Sequence, residues 1–172
     1  MISTVKFNRI VIKTSNYLKN QEIEWLDQND QITKEKVYSK KYHIGDLYDN
    51  NQNVMSELNL YQAKILFSIV ELIQNNLLIK IAMIQNILSK VEKDNIKLIQ
   101  LYLLVRLALN NQYLTYLKNE KSKTVNAEFG KFFLIDLEQI EDIEITKINI
   151  DEEISRIKIY LLDYCGIAIK AV

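Results

Sequence analysis

An α+β fold is predicted by three features of the sequence. Apolar residues alternate with period two in the first 52 positions, then recur at helical spacing from 54 to 118. Mixed rhythms follow, ending in an acid-led terminal segment. Residues 1–53 are expected to form a β-rich element of antiparallel strands. Residues 54–172 are expected to form a helical core of about three helices with C-terminal strands and a final helix, the whole making one compact domain.

The strands come first. Val5 and Phe7 alternate with Thr4 and Lys6, and Ile10 and Ile12 then alternate out of phase, as a bulge near Asn8-Arg9 would produce. After the turn-rich stretch Ser15–Gln21, Ile23 and Trp25 between Glu22, Glu24 and Leu26 predict a second strand. Val37 to Ile44 reads as a third. Asp46 to Asn53 is a loop by composition and marks the boundary with the helical part.

A first helix over 54–75 places Leu58, Ile65, Ile69 and Leu72 on one stripe, widened by Phe67, Val70 and Ile73. A second over 77–91 repeats apolar residues at 77, 81, 84, 88 and 91. Asp94 or Asn95 caps a third that runs to Lys118; its stretch from Leu101 to Leu109 is apolar nearly all round, which predicts a central helix. Beyond the turn at Lys118–Lys123, Gly130 separates apolar stretches, and Ile143, Ile145, Ile148 and Ile150 keep a strand-like rhythm. Asp151-Glu152-Glu153 then opens a final helix, its acids placed to complement the helix dipole.

Composition narrows the chemistry. The 172 residues hold no proline, 3 glycines, one cysteine (Cys165) and one histidine (His43). Gly45, Gly130 and Gly166 are isolated, so neither a P-loop nor a Rossmann turn is present. One His and one Cys cannot build a structural zinc site within one chain. A carboxylate metal site would have to use Asp136, Glu138, Glu141, Asp142 and Glu144, or Asp151–Glu153; both runs read as a solvated acidic loop and a helix start. Cys165 sits on an apolar terminal segment and reads as a small buried hydrophobe, not as a nucleophile served by His43. No catalytic, cofactor or metal residue is therefore assigned, and the chain is expected not to be an enzyme.

Charge and residue usage point to contact. The 22 basic and 22 acidic residues cancel overall, but residues 54–118 carry +3 and 136–172 carry −5. Isoleucine (26), lysine (19) and asparagine (17) have AT-rich codons, which suggests a low-GC bacterium, a phage or a mobile element. No signal peptide is expected at the N-terminus. No uncharged apolar run approaches the ~18–20 residues that span a bilayer, and a cytoplasmic protein is expected.

The clearest positive signal is Lys34–His43. As a strand it would set Tyr38, Lys40 and Tyr42 on one face and Lys41 and His43 on the other; with Lys36 these form a candidate surface for nucleic acid or a partner. The plainer reading is an edge strand whose lysines discourage sheet-to-sheet association. Tyr113, Tyr116, Tyr160 and Tyr164, paired at helical spacing, are candidate partner-contact aromatics or core-boundary residues.

The order of helices followed by the Gly130 stretches resembles a winged helix with 123–136 as its wing. A recognition helix needs a basic face, however, and 96–109 lacks one. In layout the chain is also similar to small accessory subunits that sit beside large ATPases. The expected function is a non-enzymatic interaction module, a subunit or adaptor of a larger bacterial, phage or mobile-element assembly, with a defence system among the candidate settings. The alternative is a nucleic-acid-binding protein. The expected partner is a protein or a second copy, with no membrane and no cofactor.

Overall fold

The computed structural model describes residues 6–38, 41–49, 52–53, 58–113 and 149–172. It is an α+β protein with an N-terminal antiparallel sheet followed by helices. Among the described residues five strands pair in the order β3-β2-β1-β4-β5: β1 (Arg9–Asn16), β2 (Gln21–Leu26), β3 (Ile32–Val37), β4 (Leu47–Asp49) and β5 (Gln52–Asn53). Among the described residues four helices follow: α1 (Leu60–Gln74), α2 (Ile81–Lys90), α3 (Ile96–Asn110) and α4 (Ile150–Cys165). The chain divides into two compact units, one of residues 1–93 with Ala171 and one of residues 94–170 with Val172. The expected wing at 123–136, the isoleucine rhythm at 143–148 and the acidic loop from Asp136 to Glu144 lie outside the described residues.

In the first unit β1 is the central strand. It pairs with β2 on one side and β4 on the other, and α1 packs on it. Its register slips between Val11 and Lys13, which corrects the bulge expected near Asn8-Arg9. The physical consequence is a change of face. Val11 stands opposite Trp25, but the extra residue puts Lys13 opposite Glu24 and keeps its charge away from the tryptophan. The carbonyl of the skipped residue, Ile12, accepts a hydrogen bond of 2.7 Å from Nε2 of Gln74 on α1.

The third strand also lies earlier than its composition suggests, at Ile32–Val37 instead of Val37–Ile44. A tight turn explains this. The Asp27 carboxylate accepts the N–H groups of Asn29 and Gln31, and Asp30 takes the left-handed conformation (φ +60°) that aspartate tolerates. β3 therefore starts at once, with Ile32 opposite Leu26. Oδ1 of the same Asp30 accepts the N–H of Ile81 (2.7 Å), serving the start of α2, where Lys80 brings no side-chain cap. Asp46–Asn53 is likewise not a plain loop. Leu47, fully buried, leads β4, and β4 pairs with β5.

α1 opens with a capping box between Asn59 and Gln62, a signal that the helical periodicity alone does not show. It closes where Asn76 adopts φ +71° and Leu77 donates back to the Leu72 carbonyl. Leu77 and Ile79 are buried in an extended lead-in, so α2 begins at Ile81 and not at 77. Buried Ile65, Ile69 and Leu72 of α1 and Ile84, Ile87 and Leu88 of α2 form a helical core. Nε2 of Gln62, itself buried, donates to the Leu88 carbonyl at 3.0 Å and ties the two helices. Ala171 joins this unit through Glu71 Oε1, which accepts its N–H at 2.8 Å.

In the second unit α4 packs on α3. Nine residues of α3, from Leu98 to Ala108, are buried, on all sides of the helix, as its apolar composition requires. Asn95 stands at its N-cap position. α4 starts from Asn149, whose side chain accepts the Glu152 N–H, and carries Asp151, Glu152 and Glu153 in its first turn. It ends at Gly166, where φ is +70°, a conformation that favours glycine.

Candidate functional site

The two faces of the β1–β2–β3 ribbon differ in chemistry. On one face Val11, Ile23 and Trp25 form a small core, closed by Val37, Tyr42 and Tyr48. Trp25 is 2% exposed. The rings of Tyr42 and Tyr48 each meet it edge-on at 5.4 Å, and the Arg9 guanidinium carbon lies 4.2 Å from its ring centroid. Its indole Nε1 donates to Glu35 on β3 at 3.0 Å.

Tyr42 is held there by a buried amide. Gln21 donates through Nε2 to the Tyr42 carbonyl (2.8 Å) and accepts the Tyr42 N–H at Oε1 (3.3 Å), so one side chain imitates a strand pairing. The turn that follows is clamped to β1. Gly45 N–H donates to the Val11 carbonyl, Val11 N–H to the Asp46 carbonyl, and the Asp46 carboxylate accepts the His43 N–H. Gly45 has φ +92°, which suits only glycine at low cost.

On the other face the columns across the strands read Ile10–Leu26–Ile32, Lys13–Glu24–Lys34 and Ser15–Glu22–Lys36. Glu24 lies 3.8 Å from Lys13 and 4.0 Å from Lys34, one carboxylate between two ammonium groups. Lys13, Glu24 and Lys34, with Ser15, Glu22 and Lys36, line a shallow open hollow of about 360 Å³. β3 forms its outer rim. Among the described residues no strand pairs with the outer side of β3, and Ile32 to Lys36 are all exposed.

The candidate residues separate accordingly. Lys36 stays on β3 with Glu22 opposite. Tyr38, just past its end, is 81% exposed. Lys41 and His43 are exposed in the segment after the strand, the Lys41 Nζ 5.3 Å from the Tyr42 ring centroid and the His43 Nδ1 3.8 Å from Asp46. Tyr42 turns inward onto Trp25, and Lys40 lies outside the described residues. No single strand face unites the described members of this set. The edge position and the rim of charges were legible from Lys34 and Lys36. The Arg9–Trp25–Tyr48 contacts and the Gln21 clamp join positions remote in sequence, and no local signal announces them.

Of the four candidate tyrosines, Tyr113 and Tyr160 pack together in the second unit with ring centroids 4.7 Å apart, and both are buried. Tyr160 Oη donates to the Asn111 carbonyl at 2.6 Å. Tyr164 stacks on Tyr160 and is 63% exposed. Tyr116 lies outside the described residues. Cys165 is half-buried at the end of α4.

Among the described residues of this unit, Glu153 is a buried carboxylate. Desolvation raises its pKa, an effect that Arg156 at 3.0 Å offsets in part and Glu152 reinforces. A carboxyl that keeps its proton to higher pH when folded favours folding most below about pH 4.5, where both states are protonated. That advantage is lost as pH rises through the raised folded value. Glu153→Gln is therefore expected to unfold at higher urea than the native chain at pH 7, with the difference vanishing at pH 4. Denaturant titrations at the two pH values check this.

Among the described residues no group of three or more His, Cys, Asp or Glu is placed to hold a metal ion, and no helix is long and apolar enough to cross a membrane. No protein-family model matches this sequence, and neither a curated protein nor a solved structure shows significant similarity to it.

Proposed function

We propose that this chain is a protein-interaction module, a subunit or adaptor of a larger cytoplasmic assembly in a low-GC bacterium, a phage or a mobile element, acting through contact and not through a reaction of its own. The observation that carries this reading is the exposed outer edge of β3, which ends beside the 81% exposed ring of Tyr38. An open strand edge offers backbone donors and acceptors to another chain, and an exposed tyrosine adds an amphipathic anchor.

Nucleic-acid binding is the second reading, favoured by exposed Lys34, Lys36 and Lys41 near Tyr38. It receives less support. Glutamates of β2 stand opposite the two strand lysines, and Tyr42 is packed on Trp25 instead of standing open for base stacking.

A photoreactive benzoylphenylalanine placed at Tyr38 distinguishes the two when the full chain is co-expressed with the products of adjoining genes. The expected result is a protein adduct that resists nuclease and is absent when the group is placed at Lys19, on the β1–β2 turn. A nuclease-sensitive adduct, or equal labelling at both positions, would refute the protein reading. Salt-dependent binding to single-stranded DNA or RNA that is lost in Lys40→Glu/Lys41→Glu would establish the alternative.

A further inference from the structure

We infer that β3 receives an added antiparallel strand from a partner protein, a segment with acidic residues at two alternate positions and an apolar residue two places further on. This rests on the protein-interaction reading and names the chemistry of the partner. The columns of the polar face carry the inference. Lys13–Glu24–Lys34 alternates in sign across three strands, and Ser15–Glu22–Lys36 ends in the same way, so both columns finish on a lysine at the open rim. A fourth strand continues the alternation with an acid opposite Lys36 and another opposite Lys34, because directly opposed side chains on one face interact most strongly. The third column, Ile10–Leu26–Ile32, ends on an isoleucine that is 56% exposed, and an apolar side chain opposite it removes that surface from water.

The same pattern argues against a second copy of this chain. When two β3 strands pair antiparallel about a two-fold axis normal to the sheet, only residues of the same face oppose one another. In the registers centred on Lys34 and on Glu35, Lys34 meets Lys34 or Lys36 of the other copy, and in the one centred on Lys36 that residue meets its own copy; like charges directly opposed are destabilising. The lysines thus reject self-pairing while selecting an acidic strand.

The opposite face of β3 leaves the partner less choice of sign. Glu35 already accepts the Trp25 indole N–H, and Thr33 and Val37 flank it, so the intervening residues of the added segment must be uncharged or basic.

The test uses the full ¹⁵N-labelled chain and the synthetic peptide Ac-Thr-Glu-Thr-Glu-Thr-Val-Thr-NH₂. Amide shifts are expected to concentrate in Ile32–Val37, with slowed hydrogen exchange on the outer side of β3. Lys34→Glu/Lys36→Glu is expected to weaken binding at least about tenfold. A peptide with lysine in place of glutamate, and one N-methylated at alternate residues to block strand pairing, are each expected to bind at least about tenfold more weakly.

Equal binding of the N-methylated peptide would overturn strand addition, and equal binding of the lysine peptide would overturn the charge rule. Shifts located elsewhere, or no shift at millimolar peptide, would overturn the inference as a whole. If a protein adduct forms at Tyr38 while this peptide fails, the partner chemistry is wrong and the interaction reading stands. Absence of the adduct removes the reading itself.

Discussion

Replacing Trp25 with alanine is expected to destabilise the first unit by about 3–5 kcal/mol, the range for truncating a buried large aromatic. Its ring touches both Tyr42 and Tyr48, sits against the Arg9 guanidinium and fills the space between Val11 and Ile23. Truncation empties that space and also leaves Glu35 without the indole donor. Folded domains are stable by only about 5–15 kcal/mol, so the loss is a large share. Trp25→Phe keeps most of the apolar contact and loses the N–H, for an expected cost of about 1–2 kcal/mol. Urea denaturation followed by circular dichroism, with hydrogen exchange at β1 and β2 amides, reads both variants. An alanine variant within about 1 kcal/mol of the native chain would show that the aromatic cluster does not support the sheet. Trp25 is the single tryptophan of the chain, so selectively excited tryptophan fluorescence reports this cluster alone.

Helix α3 is expected to show no tolerant side. Leu101, Leu103 and Leu104 are all fully buried, and at about 100° per residue they point in three different directions from the helix axis. Alanine at each is expected to cost about 2–5 kcal/mol, the range for buried leucine truncation. α2 provides the contrast. Ile84→Ala, Ile87→Ala and Leu88→Ala fall in the same range, but Met83→Ala and Asn86→Ala, on its half-buried side, are expected to cost under about 1 kcal/mol. An alanine scan of both helices by thermal or chemical denaturation distinguishes a uniform from a periodic pattern. A periodic result on α3 would mean that one of its sides is open in solution.

Legibility followed the range over which each signal acts. β2 was readable because Ile23 and Trp25 alternate with glutamates within one strand, and the structure forms it at Gln21–Leu26. α3 was readable because an all-apolar helix has one stable environment. α4 was readable from its three leading acids. β3 was displaced because it has no apolar face to detect: Ile32 to Lys36 are all exposed, and its place is set by the Asp27 turn and by pairing with β2. β4 escaped because Leu47 is its one buried residue, and its pairing with β1 decides what composition could not. The bulge moved from Asn8-Arg9 to Ile12 because its position answers to Glu24 and Gln74, which are remote in sequence.

The candidate surface divides along the same line. Lysines 34 and 36 announced a charged edge by themselves, since an edge strand must carry such residues to stay unpaired with its own kind. Tyr38 and Tyr42, however, have identical side chains four residues apart. One is exposed and the other packs on Trp25 because Gln21 binds the backbone of residue 42 at both its N–H and its carbonyl. Periodicity and composition are local, and they determined the class, the helices and the sign of the edge. Which aromatic is sequestered, which column ends on a lysine, and which strand lies at the sheet edge among the described residues are long-range pairings, and only the tertiary structure decided them.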